Sequence, residues 1–307
     1  MINRKLLVTG SFLIGVLLTL IAAGCGSDNE SEKSGSGKTN YSEAVDYSIT
    51  GIEPGAGITV TTEKAIKKYD SLKGWNLEQS STGAMMTKLG EAIDKEEPII
   101  ITGWNPHWMF AKYPDMKYLD DPKGVYGKTE LIKTLARKGL KEDKPNAYKL
   151  LDQFHWEVED MESIMLEATE TGTEIAEVAK KWVEEHPDVV AEWTKGVDDV
   201  DGTEIELVST PWDSERASAN VVAEVLRSKG FNVTVTPVDV AVVFEAIAKG
   251  DGDATLAAWM PITHKDFYEE YEGQFEDLGE NLKGAKIGLV VPEYMDIDSI
   301  EDLQPAE

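Results

Sequence analysis

Hydrophobic and polar positions along the chain follow two rhythms, period two and period near 3.6, and these alternate in a fixed order. Residues 47–52 read as a strand that runs into Glu53-Pro54-Gly55-Ala56-Gly57-Ile58, and helical spacing then continues through 65–69. A second strand around 75–79 leads to a helix over 84–95, and a third strand over 98–102 reaches Trp104. The order then returns. Residues 204–209 are strand-like, Thr210-Pro211-Trp212-Asp213-Ser214 is a loop, and 218–229 is a helix stopped by Gly230. Residues 231–235 alternate as a strand, 241–249 are helical with Gly250 as the stop, and the strand 254–257 leads to Trp259. Each β-α-β-α-β series predicts parallel strands with right-handed crossovers, and two series predict two α/β lobes. Between them, residues 146–193 are almost continuously helical in pattern, with Leu150, Leu151, Phe154, Ile164 and Met165 among the apolar positions. The strand-like runs 131–135 and 287–291 are candidates for the two crossings between lobes. Lobe one is then expected over 46–127 with 292–307, and lobe two over 128–291.

The N-terminus carries a different signal. Arg4 and Lys5 precede an apolar run over residues 6–20 that closes on Ile21-Ala22-Ala23-Gly24-Cys25, the order of a secretory signal peptide. The run is too short for a convincing permanent span. Small residues directly before Cys25 resemble the lipobox of bacterial lipoproteins, in which the cysteine becomes the acylated first residue. Residues 1–24 are therefore expected as a lipoprotein signal peptide and 25–45 as the lipidated Cys25 with a flexible linker, rich in Ser, Gly and Asn. Such a protein is held at the extracellular face of the cell membrane by its lipid. Cys25 is the single cysteine, which excludes an intramolecular disulfide and any multi-cysteine metal site.

Charge narrows the partners. Among 307 residues, 57 acidic against 30 basic side chains give a formal net charge of -27, a surface that repels nucleic acid. Enzyme chemistry finds little support: there is no Gly-x-Ser-x-Gly elbow, and the four histidines are scattered at 107, 155, 186 and 264. No cofactor or metal is expected.

Candidate chemistry concentrates at the predicted strand ends. Trp104, Trp212 and Trp259 each occupy a loop where open α/β folds place ligands. Aromatic faces attract a cation that has no N–H to donate, each contributing ~0.5 to 2 kcal/mol once the ligand is desolvated. The cation is expected to be held by these faces and not by charge. The Gly-rich loop before Ile58 sits at a strand-to-helix junction, where free backbone N–H groups and the helix dipole suit an anion. His264, five residues after Trp259, can donate an imidazole N–H to the same anion.

These blocks carry a resemblance. Gly51-Ile52-Glu53-Pro54-Gly55-Ala56-Gly57-Ile58, Ile101-Thr102-Gly103-Trp104-Asn105-Pro106-His107-Trp108-Met109-Phe110, Trp212-Asp213-Ser214-Glu215, Ala258-Trp259-Met260-Pro261-Ile262-Thr263-His264 and Gly288-Leu289-Val290-Val291-Pro292-Glu293-Tyr294-Met295 resemble the glycine-betaine-binding lipoproteins of Gram-positive osmoprotectant ABC importers. The resemblance implies a two-lobed periplasmic-binding-protein-like fold of type II, circularly permuted, with the ligand between the lobes. It also implies a tryptophan prism of Trp104, Trp212 and Trp259 around the trimethylammonium, with the amides of Gly57 and Ile58 and the His264 ring on the carboxylate. The expected ligands are glycine betaine and proline betaine, and the expected partners are ABC permease and ATPase subunits, the receptor itself being a monomer. Choline, carnitine or another amine or amino acid stay open as ligands. A carboxylate inside the tryptophan box would favour a ligand with N–H groups.

Overall fold

Two parallel three-stranded ladders frame the protein, whose computed structural model describes residues 39–306. The expected signal peptide, Cys25 and the linker up to residue 38 lie outside the described residues. Of the stretch expected as linker, residues 39–45 are described, and there Tyr41–Ala44 forms a short helix, α1, with Ser42 buried.

The first ladder follows the expected order: β1 (Ser48–Thr50), α2 (Gly57–Lys68), β2 (Asn76–Glu78), α3 (Thr82–Lys95) and β3 (Ile101–Asn105), with β1 parallel to β2 and to β3. Helix α4 (Trp108–Lys112) and β4 (Met116–Tyr118) lead to β5 (Glu130–Arg137). The helical segment resolves into α5 (Leu140–Asp143), α6 (Pro145–Gln153), α7 (Val158–Thr171), α8 (Ile175–Glu185) and α9 (Pro187–Trp193). Proline at the first turn of α6 and of α9, and Gly172 at φ 69° after α7, explain why one apolar pattern breaks into several helices.

The second ladder comprises β6 (Glu204–Ser209), α10 (Asp213–Ser228), β7 (Asn232–Pro237), α11 (Val240–Lys249) and β8 (Ala254–Met260), with β6 parallel to β7 and β8. Helix α10 begins five residues earlier than its hydrophobic spacing suggests, because its first turn, Asp213 to Arg216, is polar in sequence. It is buried on several sides, and its alanines, serines and valines let neighbouring elements approach closely.

The chain closes with α12 (Lys265–Glu270) and β9 (Phe275–Pro292), and β9 corrects the expectation of purely parallel strands. It pairs antiparallel with β5 from Phe275 to Ala285 and antiparallel with β3 from Lys286 to Val290, while β4 flanks its end. The order β2-β1-β3-β9-β5-β8-β6-β7 is thus one hydrogen-bonded path in which β9 and β5 together join the two ladders, β9 through β3 and β5 through its antiparallel pairing with β8. Only Ile287, Leu289, Val290 and Val291 read as a strand in sequence, since the preceding half alternates acidic side chains with half-buried positions. Within each ladder the C-terminal strand ends share one edge, where the candidate residues sit: Gly57 and Ile58 follow β1, Trp212 follows β6 and His264 follows β8, while Trp104 and Trp259, expected in loops, lie within the last residues of β3 and β8 because the ladder pairing runs on past them.

Candidate functional site

One cavity brings together all six residues singled out by sequence: Gly57, Ile58, Trp104, Trp212, Trp259 and His264. Ile52, Ala56, Ser214, Glu215, Thr263 and Ile287 complete its lining.

Gly57 and Ile58 are the first two residues of α2, so their N–H groups have no acceptor within the helix. Gly55, at φ 83°, makes the turn that aims the chain into α2. Gly57 has a different reason to be glycine. A Cβ there would lie 2.4 Å from the carbonyl oxygen of Thr263 and 2.5 Å from its methyl carbon, so the start of α2 and the loop after β8 meet backbone to backbone at this point.

The three indoles are each braced. Trp104, buried near the end of β3, receives the ring of His107 edge-on at 4.6 Å and 74°. His107 Nδ1 accepts the N–H of Met109 at 3.1 Å and so caps α4. Trp212, half-buried ahead of α10, donates its Nε1–H to Glu53 Oε2 across the lobes at 3.3 Å. Trp259, 4% exposed on β8, donates Nε1–H to Glu215 Oε1 at 2.7 Å. Glu215 Oε2 in turn accepts the Ser214 hydroxyl at 2.7 Å. Burial pushes the Glu215 carboxyl above its usual range, against the pull of Ser214 and Trp259.

His264 is buried and locked to the same strand. Its own N–H donates to the Trp259 carbonyl at 2.9 Å, and its Nδ1 accepts the Trp259 N–H at 3.2 Å. Burial lowers its pKa to about 4, despite the opposing Ala257 backbone hydrogen bond, and the ring is a neutral donor near pH 7. The loop that delivers it is organised by Glu130, 1% exposed on β5. Its Oε1 accepts the N–H groups of Ile262 and Thr263 at 2.7 and 2.8 Å, and its Oε2 accepts the Thr263 hydroxyl.

Further bonds tie the surroundings of the cavity together. Glu162 on α7 accepts from Asn105 Nδ2 at 3.1 Å and from the His107 N–H at 3.2 Å, and Trp108 Nε1 donates to Asp213 at 3.2 Å.

Sequence reasoning found the aromatic and backbone groups but missed Glu53, Glu130, Glu215 and Glu162. In a chain with 57 acidic residues no composition signal separates four buried or bridging carboxylates from the solvated majority. Only Glu53 and Glu215 stood inside blocks already singled out.

The two buried histidines make stability depend on pH. Unfolded, each titrates near 6.5; folded, burial holds His264 at about 4 and His107 at about 3. Below 6.5 the unfolded chain binds protons that the fold refuses, so stability falls as pH drops towards 4. Each histidine accounts for about 2 kcal/mol of loss between pH 6.5 and 5, a window in which most carboxylates are still ionised. Urea denaturation at these two pH values should show the loss, and His264→Gln should remove about half of it.

Comparisons with known proteins fit this geometry. Residues 30–185 and 203–307 match the family described as the substrate binding domain of ABC-type glycine betaine transport systems. The chain is 48% identical over 305 residues, 99% of each chain, to the glycine betaine/carnitine transport binding protein GbuC of Listeria monocytogenes (strain 10403S). Among solved structures, the lactococcal OpuAC in its closed-liganded conformation with glycine betaine is 52% identical over 49% of this chain and 58% of that one, with a TM-score of 0.47. The glycine/betaine/L-proline-binding protein ProX of Borrelia burgdorferi is 29% identical over 49% of this chain and 57% of that one, with a TM-score of 0.44. The matched region thus spans little more than half the length of either structural relative.

Proposed function

Because the chain belongs to the family of substrate-binding domains of ABC-type glycine betaine transport systems, we propose that it captures glycine betaine outside the cell and delivers it to a permease powered by an ATPase subunit. The observation that carries this reading is one cavity with three tryptophans, two free helix N–H groups and a neutral histidine. The indole faces suit a trimethylammonium, which has no N–H to donate. The amides of Gly57 and Ile58, the positive end of α2 and the ring N–H of His264 suit a carboxylate. Glycine betaine carries both groups one methylene apart, and proline betaine presents the same pair. The role is binding without chemistry on the ligand and without a cofactor. Anchorage through acylated Cys25 at the outer face of the membrane, and action as a monomer, complete the proposal. The lobes are taken as 46–127 with 292–307 and 128–291, hinged near residue 128 and along β9.

Two observations favour keeping a second ligand class in view. The Listeria relative carries carnitine in its name, and Glu215 places a carboxylate beside the tryptophans. Each Glu215 oxygen already accepts one hydrogen bond, from Trp259 or Ser214, so its capacity for a primary amine is reduced. Isothermal titration with glycine betaine, carnitine, choline and proline separates these readings. The proposal expects saturable binding of glycine betaine, weaker choline binding for lack of the carboxylate, and little heat with proline. Tight proline binding without betaine binding would refute it.

A further inference from the structure

Glu215 is a buried carboxylate in the cavity wall with no protein cation to balance it. Among the described residues no lysine or arginine forms an ion pair with it, and Arg216, the next residue, pairs with Asp213 and Glu174 instead. A buried anion of this kind is costly unless hydrogen-bonded or matched by an opposite charge. Its hydrogen bonds are supplied by the Trp259 indole and the Ser214 hydroxyl, and by its place in the first turn of the 16-residue helix α10, where the helix dipole favours a negative group. Among the described residues no side chain supplies the matching charge.

We propose that Glu215 is the positioning and charge-complementing residue of the tryptophan cage: its carboxylate fixes the Trp259 indole through Nε1–H and makes the cavity select a cationic head group over a neutral one of the same shape. Two effects act together. The 2.7 Å bond holds the indole edge so that its ring keeps one orientation against the cavity. An indole N–H bonded to a carboxylate also carries more electron density on its face, and the ionised form of Glu215, which burial opposes and the Ser214 and Trp259 hydrogen bonds favour, adds a Coulomb attraction that the aromatic faces alone do not provide. A purely aromatic, uncharged box would distinguish trimethylammonium from tert-butyl less sharply. The inference rests on the reading that the ligand carries a quaternary ammonium, and it revises the expectation that charge plays no part in holding it.

The test compares glycine betaine with 3,3-dimethylbutanoate, which replaces the quaternary nitrogen by carbon and keeps the shape and the carboxylate. Wild-type protein should prefer glycine betaine, and Glu215→Gln, which keeps the size and an acceptor oxygen, should shrink the ratio of the two dissociation constants by roughly tenfold. A structural role alone would weaken both ligands equally and leave the ratio unchanged; that result, or no loss at all, overturns the proposal. A second readout needs no variant. In the wild-type protein the Trp259 indole N–H proton should resonate downfield and move on adding glycine betaine but not on saturating with 3,3-dimethylbutanoate; identical responses to both ligands overturn the proposal. A wild-type protein that binds no quaternary amine defeats the functional reading itself, whereas normal betaine binding with an unchanged ratio defeats this inference alone.

Discussion

Gly57→Ala is expected to weaken glycine betaine binding by roughly a hundredfold, equivalent to about 3 kcal/mol, while leaving the ligand-free protein as stable as before. The effect is steric and local. Gly57 has an ordinary helical backbone at the start of α2, so alanine costs the helix nothing there. The new methyl would stand 2.4 Å from the Thr263 carbonyl oxygen, which Glu130 holds in place by bonding the neighbouring N–H groups. The lobes must therefore stay apart in this variant, and the ligand loses one of its two walls. Gly55→Ala supplies the contrast. Nothing lies within 4 Å of a Cβ at Gly55, but its φ of 83° strains any other residue by about 1 to 2 kcal/mol. That variant should lose stability first and affinity only secondarily. Thermal melts and titrations of both variants check the pair, and unchanged affinity in Gly57→Ala would contradict the closed geometry.

Trp259→Ala carries the second large effect. It removes an aromatic face worth ~0.5 to 2 kcal/mol to the cation. It also strips Glu215 of its indole donor, leaving a buried carboxylate oxygen less satisfied at a cost of about 1 to 3 kcal/mol to the stability of the fold. The lost face predicts a drop of roughly tenfold in glycine betaine affinity, and the thermal melt reads the stability cost separately. Trp259→Phe keeps a ring face and should retain part of the binding, falling between wild type and alanine. Equal losses for the two would assign the effect to the Nε1–H bond with Glu215 and not to the ring face.

Much of the frame was legible because both ladders obey local rules. Gly250 stops α11 at φ 79° as its position after a helical pattern implies, and β6 occupies the residues that its alternation marks. The candidate residues were legible because tryptophan and glycine at strand ends have few other uses. What escaped the sequence is what depends on distant partners. The first half of β9 carries Glu276, Asp277 and Glu280, whose charges hide a strand that only β5 makes visible. Glu130 lies 132 residues before Ile262, and Glu53 lies 159 residues before Trp212, so no local pattern relates either pair. The acids that brace the tryptophans look, one residue at a time, like the rest of an acidic surface.

In the proposed mechanism the ligand joins what the two ladders bring to the cavity. Gly57, Ile58 and Trp104 stand at strand ends of the first ladder and Trp212, Trp259 and His264 at those of the second, so neither set encloses a ligand alone. A ligand favours a closed form only by as much as it binds that form better, and the hydrogen bonds of Glu162, Asp213 and Glu53 around the cavity add to it. Small-angle scattering of the protein in solution, with and without saturating glycine betaine, measures this directly. The account predicts compaction of the wild-type protein on adding ligand and little change in a Trp259→Ala, His264→Ala double variant at the same concentration. A wild-type profile that stays the same at saturating ligand would contradict it.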